Sequence, residues 1–391
     1  MVVANLDQAA TQPQLPVESE LLIEEKGVAR FATLNRPRVL NCINLSMLQA
    51  LAESYERWEG DDSVGFIVLK GAGRVFCAGG DLKMFYGLGK LDESWKVMVY
   101  VKYWLDYHIA TFKKPLVALW HGLVMGGGAG LSVTGTFRVA TEKTIFAMPE
   151  AALGLHTDCG ASYWLSHLGG SLGEFLSLTG HRLDGAEMYA CGLATHFVPL
   201  QSLPDLEKRL AELPSGDEEA VRAVIDSFHS PAPISATSIL HKREAMDRIF
   251  SKDSIEDIVQ ALEVELEETQ EQWVKETLKI LKRSSPTGLR VTFTSIRTGR
   301  NLSRAECLKR EYRLTINALR GTVTDDFYEG IRAIVVDKDN APKWNPRSTQ
   351  EVTQEKLDLV FKPFKDADEL QLPRDNEPRF VARFFLTRRS R

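Results

Sequence analysis

Between Pro115 and Phe137 the chain carries no Asp, Glu, Lys or Arg, and its middle is Met125-Gly126-Gly127-Gly128-Ala129-Gly130. An uncharged stretch of this length is long enough to cross a bilayer, but the glycines and the polar His121 favour a buried strand, turn and helix. Glycines also let a backbone approach a ligand closely and turn its N–H groups outward. A second pair, in Cys77-Ala78-Gly79-Gly80-Asp81, closes the apolar strand Phe66-Ile67-Val68-Leu69. Two strand-fed glycine loops suit two N–H donors converging on one developing negative oxygen. Met148-Pro149-Glu150 then delivers a carboxylate on a path fixed by the proline, and Asp158 follows.

Each loop alone reads more readily as a turn or a close helix contact than as a catalytic element. No G-x-G-x-x-G opens a βαβ unit with an acidic residue at the required distance, and no Gly-Lys-Ser/Thr follows either cluster, which excludes the dinucleotide and phosphate-loop readings. The informative feature is the ordered set AGGD, HG-x3-GGG and AMPE. That set resembles the crotonase (enoyl-CoA hydratase/isomerase) superfamily, in which two backbone N–H groups hold an acyl-CoA thioester oxygen. Phe146-Ala147-Met148-Pro149-Glu150, Gly154-Leu155-His156-Thr157-Asp158, Leu178 to Glu187, Gly192 to Val198, Glu329 to Ala333 and Asp337-Lys338-Asp339 narrow it to the 3-hydroxyisobutyryl-CoA hydrolases. The similarity runs from about residue 20 to about residue 365, and Leu155 to Gly160 is most similar to a divergent, hydrolase-like plant branch of that family.

The resemblance implies an α/β protein with a crotonase-type ββα spiral core over 20–205 and a helical C-terminal region over 206–365 that completes the fold. The N–H groups of Gly80 and Gly127 are expected to bind the thioester oxygen, with Gly79 and Gly126 shaping their loops. A thioester hydrolase needs a group that attacks the carbonyl carbon or activates the attacking water, and Glu150 matches the residue with that role. Asp158 matches a second acid, which with Glu150 would supply a base and an acid in turn; its alternative is a loop-fixing or helix-capping aspartate.

Three positions depart from the family pattern. Hydratases carry a second glutamate after the glycine triplet, where this chain has Gly130, which disfavours two-glutamate hydration. Lys102 takes the place of a glutamate that the hydrolases carry in the helix before Lys114-Pro115, reversing a charge expected near the acyl hydroxyl. His156-Thr157 replaces an aromatic-proline pair, and His156 is expected either to tune Asp158 or to contact a polar acyl group, unless it is merely a hydrogen-bonded or surface histidine. Lys83 and Arg74, and more weakly Lys338, are candidates to meet CoA phosphates, the alternative being ordinary exposed side chains.

The expected function is hydrolysis of a short, branched β-hydroxyacyl-CoA, 3-hydroxyisobutyryl-CoA first, as in valine catabolism. The alternatives are an enoyl-CoA hydratase/isomerase using Glu150 alone and a non-catalytic scaffold of the same fold. CoA belongs to the substrate, so no cofactor is expected.

Composition agrees with an enzyme core. The 391 residues suffice for one large or two ordinary domains, and 44% are hydrophobic. A formal net charge of -5 with both signs dispersed gives no reason to expect nucleic acid or another polyanion. The five cysteines, Cys42, Cys77, Cys159, Cys191 and Cys307, lack C-x-x-C spacing and suit a reduced compartment. No pair of the eight histidines has metal-ligand spacing, so no metal is expected. Met1 to Glu20 holds acids but no Arg or Lys, unlike a mitochondrial presequence, and the final Thr387-Arg388-Arg389-Ser390-Arg391 is no Ser-Lys-Leu address. The cytosol is the default, with no membrane partner and the oligomeric state open. Flexible tails are expected over 1–19 and 366–391.

Along the chain, Leu21 to Glu25 and Ala29 to Leu34 suggest a hairpin about Lys26-Gly27. Leu45 to Trp58 has helical periodicity, with Asn44 as cap and Gly60 past its end. Strands are expected at Phe66 to Leu69, Val117 to Trp120, Phe137 to Ala140 and Ile145 to Met148. After breaks at Pro204, Pro214, Pro231 and Pro233 come helices at Ser254 to Thr269 and Glu271 to Lys282. Glu263, Glu265, Glu267, Glu268 and Glu271 read as a solvated face, and Ala305 to Leu319 as a helix that only packs against the core.

Overall fold

A computed structural model describes residues 20–365 and 368–373; the expected tails over 1–19 and over most of 366–391 lie outside the described residues. The larger of two sheets runs in the order β1 (Leu21–Lys26), β2 (Ala29–Leu34), β3 (Phe66–Gly71), β4 (Leu116–Leu119), β6 (Phe137–Ala140), β9 (His196–Phe197). The smaller holds β5 (Leu123–Met125), β7 (Ile145–Ala147) and β8 (Leu183–Asp184). β1 and β2 form the expected antiparallel hairpin, and from β2 to β9 every pairing in the large sheet is parallel.

The chain advances by a repeating step. β4 enters the large sheet and β5 the small one, then β6 and β7 do the same. One step earlier β3 lies in the large sheet while Cys77 bridges to Val124 of β5. The uncharged stretch is thus two buried strands and a helical turn, and among the described residues no helix is long and apolar enough to cross a membrane.

Strand alternation divides the core. Phe66, Val68, Val117 and Leu119 face one side, where Leu206, Leu210, Val221 and Ile225 cover them. Ile67, Leu69, Leu116 and Ala118 join the larger cluster on the other side. The covering residues lie on the helices Leu203–Ala211 and Glu218–Phe228, so the expected boundary at 205/206 cuts through a helix that packs on the sheet.

Helix α1 (Leu45–Glu59) starts at Asn44, whose side chain accepts from Met47 N–H at 3.0 Å, a cap worth about 1 kcal/mol. The elements that matter next are α2 (Leu82–Leu88), α3 (Trp95–Ala110), α4 (Gly127–Gly130) and α5 (Arg304–Arg320). The expected late helices are Ile255–Thr269 and Gln272–Arg283.

Two expectations are corrected. Glu265 is buried against Arg248 at 2.8 Å, because its helix turns that position inward, while Glu263, Glu267 and Glu268 stay exposed. Residues 368–373 are not a loose tail: Leu370 is fully buried and Glu369 pairs with Arg313 at 2.7 Å.

Candidate active site

Backbone pairing brings the two glycine loops together. Cys77 N–H donates to Leu123 O at 2.9 Å and Met125 N–H to Cys77 O at 3.0 Å, forming the parallel bridge between Cys77 and Val124. Gly80 and Gly127 each lie three residues past a partner of that bridge, so the chain carries them abreast. A Cβ built on Gly127 would stand 3.6 Å from Gly80 N.

Neither N–H group has a backbone partner. Gly80 is skipped by its neighbours' pairing, since Ile43 N–H donates to Gly79 O at 2.8 Å and Asp81 N–H to Ile43 O at 3.0 Å. Gly127 opens α4, where an N–H has no partner within the helix. Gly79 (φ 105°) and Gly126 (φ 49°) take backbone conformations that side chains resist. A Cβ on Gly126 would press on Glu150 Oε1 at 2.8 Å. Gly127 itself is helical; there a side chain would meet Ile43 and Lys102, each at 3.3 Å.

The donors face a cavity of about 120 Å³ with mostly apolar walls, from Ile43, Phe85, Met98, Val99, Leu319 and Phe327 among others. Helix α3 supplies Met98, Val99, Lys102 and Tyr103 from one face, at the spacing that aligns side chains on a helix.

Glu150 begins the 3-10 turn Glu150–Leu153 after Pro149 and lines this cavity. It is buried, and its Oε2 has no hydrogen-bond partner. Burial first, then the nearby Asp158 and Glu311, push its pKa well above the carboxylate range. Such a carboxyl is held neutral until something in the cavity stabilises its charge, and its anion is a strong base.

Asp158 also lines the cavity, but its side chain caps no helix; Tyr103 Oη donates to its Oδ2 at 2.8 Å. Behind it Glu311 accepts from Gly160 N–H at 2.5 Å and Ser162 N–H at 2.8 Å, fixing the loop after Asp158. Burial, with Asp158 adding to it, brings Glu311 up to about 7.

Lys102 lines the cavity but is not a free cation: its Nζ meets both oxygens of Asp106 at 2.5 Å, one helical turn on. Burial alone would lower the Lys102 pKa, and the Asp106 carboxylate more than reverses this. Burial raises Asp106 to about 6 against the pull of Lys102, which keeps it below neutral pH. The contact at 2.5 Å decides for an ion pair at neutral pH. A Cβ at Gly130 would stand 2.9 Å from Lys102 Nζ, so the missing side chain there is what makes room for the pair.

His156 does not line this cavity, which sets aside its expected contact with an acyl group. Its Nε2 lies 3.0 Å from Thr315 Oγ1, which is 2.6 Å from Tyr103 Oη, so it reaches Asp158 only through two hydroxyls. Lys83 and Arg74 are exposed and lie outside the cavity lining, as does Lys338. Tyr103, Asp106, Glu311 and Thr315 were not foreseen. The reading of α5 as mere packing fails because Glu311, Thr315 and Leu319, four residues apart, all turn toward the site. That spacing of two polar residues and a leucine was the signal available.

Among the described residues no group of three or more His, Cys, Asp or Glu side chains is arranged to hold a metal ion.

Two unpaired backbone N–H groups abreast, facing a buried carboxyl across an apolar cavity and carried on paired strands of two sheets, define a crotonase-type protein. The chain belongs to the enoyl-CoA hydratase/isomerase family, which matches residues 29–361. It is 50% identical over 94% of its length to the 3-hydroxyisobutyryl-CoA hydrolase-like protein 5 of Arabidopsis thaliana, covering 95% of that protein. The 3-hydroxyisobutyryl-CoA hydrolase 1 of the same plant is 42% identical over 93% of the chain and 97% of its own length. Among solved structures, a carnitinyl-CoA dehydratase from Mycobacterium thermoresistibile superposes with a TM-score of 0.82 at 33% identity, covering 92% of this chain and 99% of that one.

Proposed function

We propose that this protein hydrolyses an acyl-CoA thioester, with 3-hydroxyisobutyryl-CoA the leading substrate. The observation that carries the reading is the pairing of two open N–H donors, Gly80 and Gly127, with one buried carboxyl whose Oε2 has no partner. The donors hold the thioester oxygen and stabilise the negative charge that appears when the carbonyl carbon becomes tetrahedral, each contributing on the order of 10²- to 10³-fold. Glu150, once ionised, either attacks that carbon or takes a proton from the attacking water. Asp158, held by the Tyr103 hydroxyl, is the second carboxyl within the same cavity.

Gly130 argues against two-carboxylate hydration, because the space a second glutamate would need at that position is filled by Cys159, Lys102 and Asp106. Valine catabolism would consume the same substrate. The purified protein should release free thiol from 3-hydroxyisobutyryl-CoA while leaving an enoyl-CoA unhydrated. Hydration without thiol release would overturn the proposal in favour of a hydratase; inactivity in both assays, with acyl-CoA binding intact, would favour a scaffold.

A further inference from the structure

Hydrolysis of a thioester at neutral pH yields a carboxylate, a thiol and one net proton. The cavity that receives the substrate is lined mostly by apolar side chains, with Asp158 half-buried at its wall. A hydrogen-bonded line leads elsewhere. From Asp158 Oδ2 it runs to Tyr103 Oη at 2.8 Å, to Thr315 Oγ1 at 2.6 Å and to His156 Nε2 at 3.0 Å.

His156 belongs to a second cavity, lined also by Thr287, Asn317 and Thr324 and separated from the first by Leu155 and Phe327, which line both. This cavity encloses about 30 Å³, room for a single water. Thr287 Oγ1, buried without a partner, is one polar group in its wall.

We propose that Tyr103, Thr315 and His156 form a proton relay that carries the net proton of each turnover from Asp158 to water in the second cavity. The proposal rests on the hydrolase reading. The proton balance is explicit. A protonated Asp158 gives its proton to Tyr103 Oη as the Tyr103 O–H bond breaks toward Thr315 Oγ1, and the Thr315 proton passes to His156 Nε2. Asp158 is left ionised, with every O–H in the line now pointing toward it, and His156 becomes an imidazolium. That cation loses its Nδ1 proton, held 3.3 Å from Thr157 O, to water, and a flip of the imidazole ring together with rotation of the hydroxyls returns a bare nitrogen to Thr315 and resets the line.

The charged groups felt at Tyr103 are Asp158 and Glu311, those at His156 are Asp158 and Arg310, and Glu150 and Lys102 also feel Asp158, while the Cys159 thiol beside Tyr103 is held neutral by burial. Burial lowers the pKa of His156, which makes the imidazolium a short-lived carrier rather than a store. These three are positioning and transfer residues; the bonds to carbon are made by others.

The test compares wild type with Thr315→Val, which keeps the shape and removes the hydroxyl, Thr315→Ser, which restores it, and His156→Gln. Thiol release from 3-hydroxyisobutyryl-CoA is followed at several pH values, in dilute buffer and with added imidazole. The expected result for Thr315→Val is a kcat lower by about 10², the scale of one lost proton-transfer step, with KM within about twofold and recovery on adding imidazole. Thr315→Ser should retain wild-type kcat, and His156→Gln should repeat the imidazole-rescued loss. A loss that imidazole does not relieve, or that comes mainly as a raised KM, overturns the relay and leaves a structural role; an unchanged kcat in Thr315→Val overturns it as well. Absence of thiol release from the wild type sinks the hydrolase reading and the relay together, whereas wild-type activity with any of the other failures sinks the relay alone.

Discussion

The most consequential single residue is Glu150, and its burial fixes both its chemistry and its effect on stability. Because the folded protein holds this carboxyl at a raised pKa, the unfolded chain gives up the proton first as pH rises, and stability falls above the ordinary carboxylate pKa. Glu150→Gln removes that titration. The variant should therefore melt at a higher temperature than wild type at pH 8, and the difference should disappear toward pH 4. Its hydrolysis should fall by about 10² or more, since an amide neither attacks nor accepts a proton, while CoA affinity stays close to wild type. Steady-state kinetics and thermal melts on the same samples check both halves; retention of more than about a tenth of the rate would remove Glu150 from the reaction. The same raised pKa predicts that kcat/KM climbs with pH through the range in which free Glu150 ionises.

At the scale of elements, the loops and helix α3 divide the work of shaping the acyl end. Gly127→Val leaves the backbone unstrained, as the residue is helical, but its methyls enter the space between Ile43, Lys102 and the Gly80 donor. A folded, inactive protein by circular dichroism and thiol assay is the expected outcome, with about 10² lost in rate if one donor is blocked. Lys102→Glu, which would mimic the usual hydrolase residue, places two buried carboxyls one turn apart with Asp106 and is expected to fail structurally before it can alter preference. Lys102→Met is the cleaner probe: it strands the Asp106 carboxylate and should destabilise by about 3–5 kcal/mol in denaturant titrations, whereas Lys102→Met with Asp106→Leu should recover most of that loss. No recovery in the double variant would show that Lys102 is needed for packing beyond its partner.

These same elements show what a sequence can and cannot disclose. The strands, the capped α1 and both glycine loops were readable because each depends on local pattern: apolar runs, Asn44 before a periodic stretch, glycines at strand ends. Glu150 was readable from its motif. Tyr103, Glu311 and Thr315 were not, because their roles arise only when α5, far along the chain, folds against α3. Asp106 lay one turn from Lys102, close enough to suggest a pair, but nothing local says that both are buried. His156 was seen as unusual, yet its separation from the cavity by Thr315 is a fact of packing.

For the whole molecule, the active site is closed by parts of the chain distant from its motifs, and the last described segment tests this. Leu370 is fully buried in a cluster with Val99, Tyr103, Leu319 and Phe327, four residues that line the cavity beside Gly80 and Gly127. The neighbouring Glu369 ties this segment to α5 through Arg313. Truncating a buried leucine removes its transfer free energy and leaves a void, so Leu370→Ala should destabilise the protein by about 2–5 kcal/mol. The void adjoins the wall that holds Tyr103, so Tyr103 should position Asp158 less well and kcat should fall as well, even under conditions where the variant remains folded. Arg313→Gln, which loosens the same segment without opening the core, should cost less than Leu370→Ala in stability, by the margin between a partly exposed ion pair and a buried leucine. Chemical denaturation and thiol release on both variants decide the matter: a Leu370→Ala protein as stable and as active as wild type would mean that residues 368–373 lie on the core without supporting it.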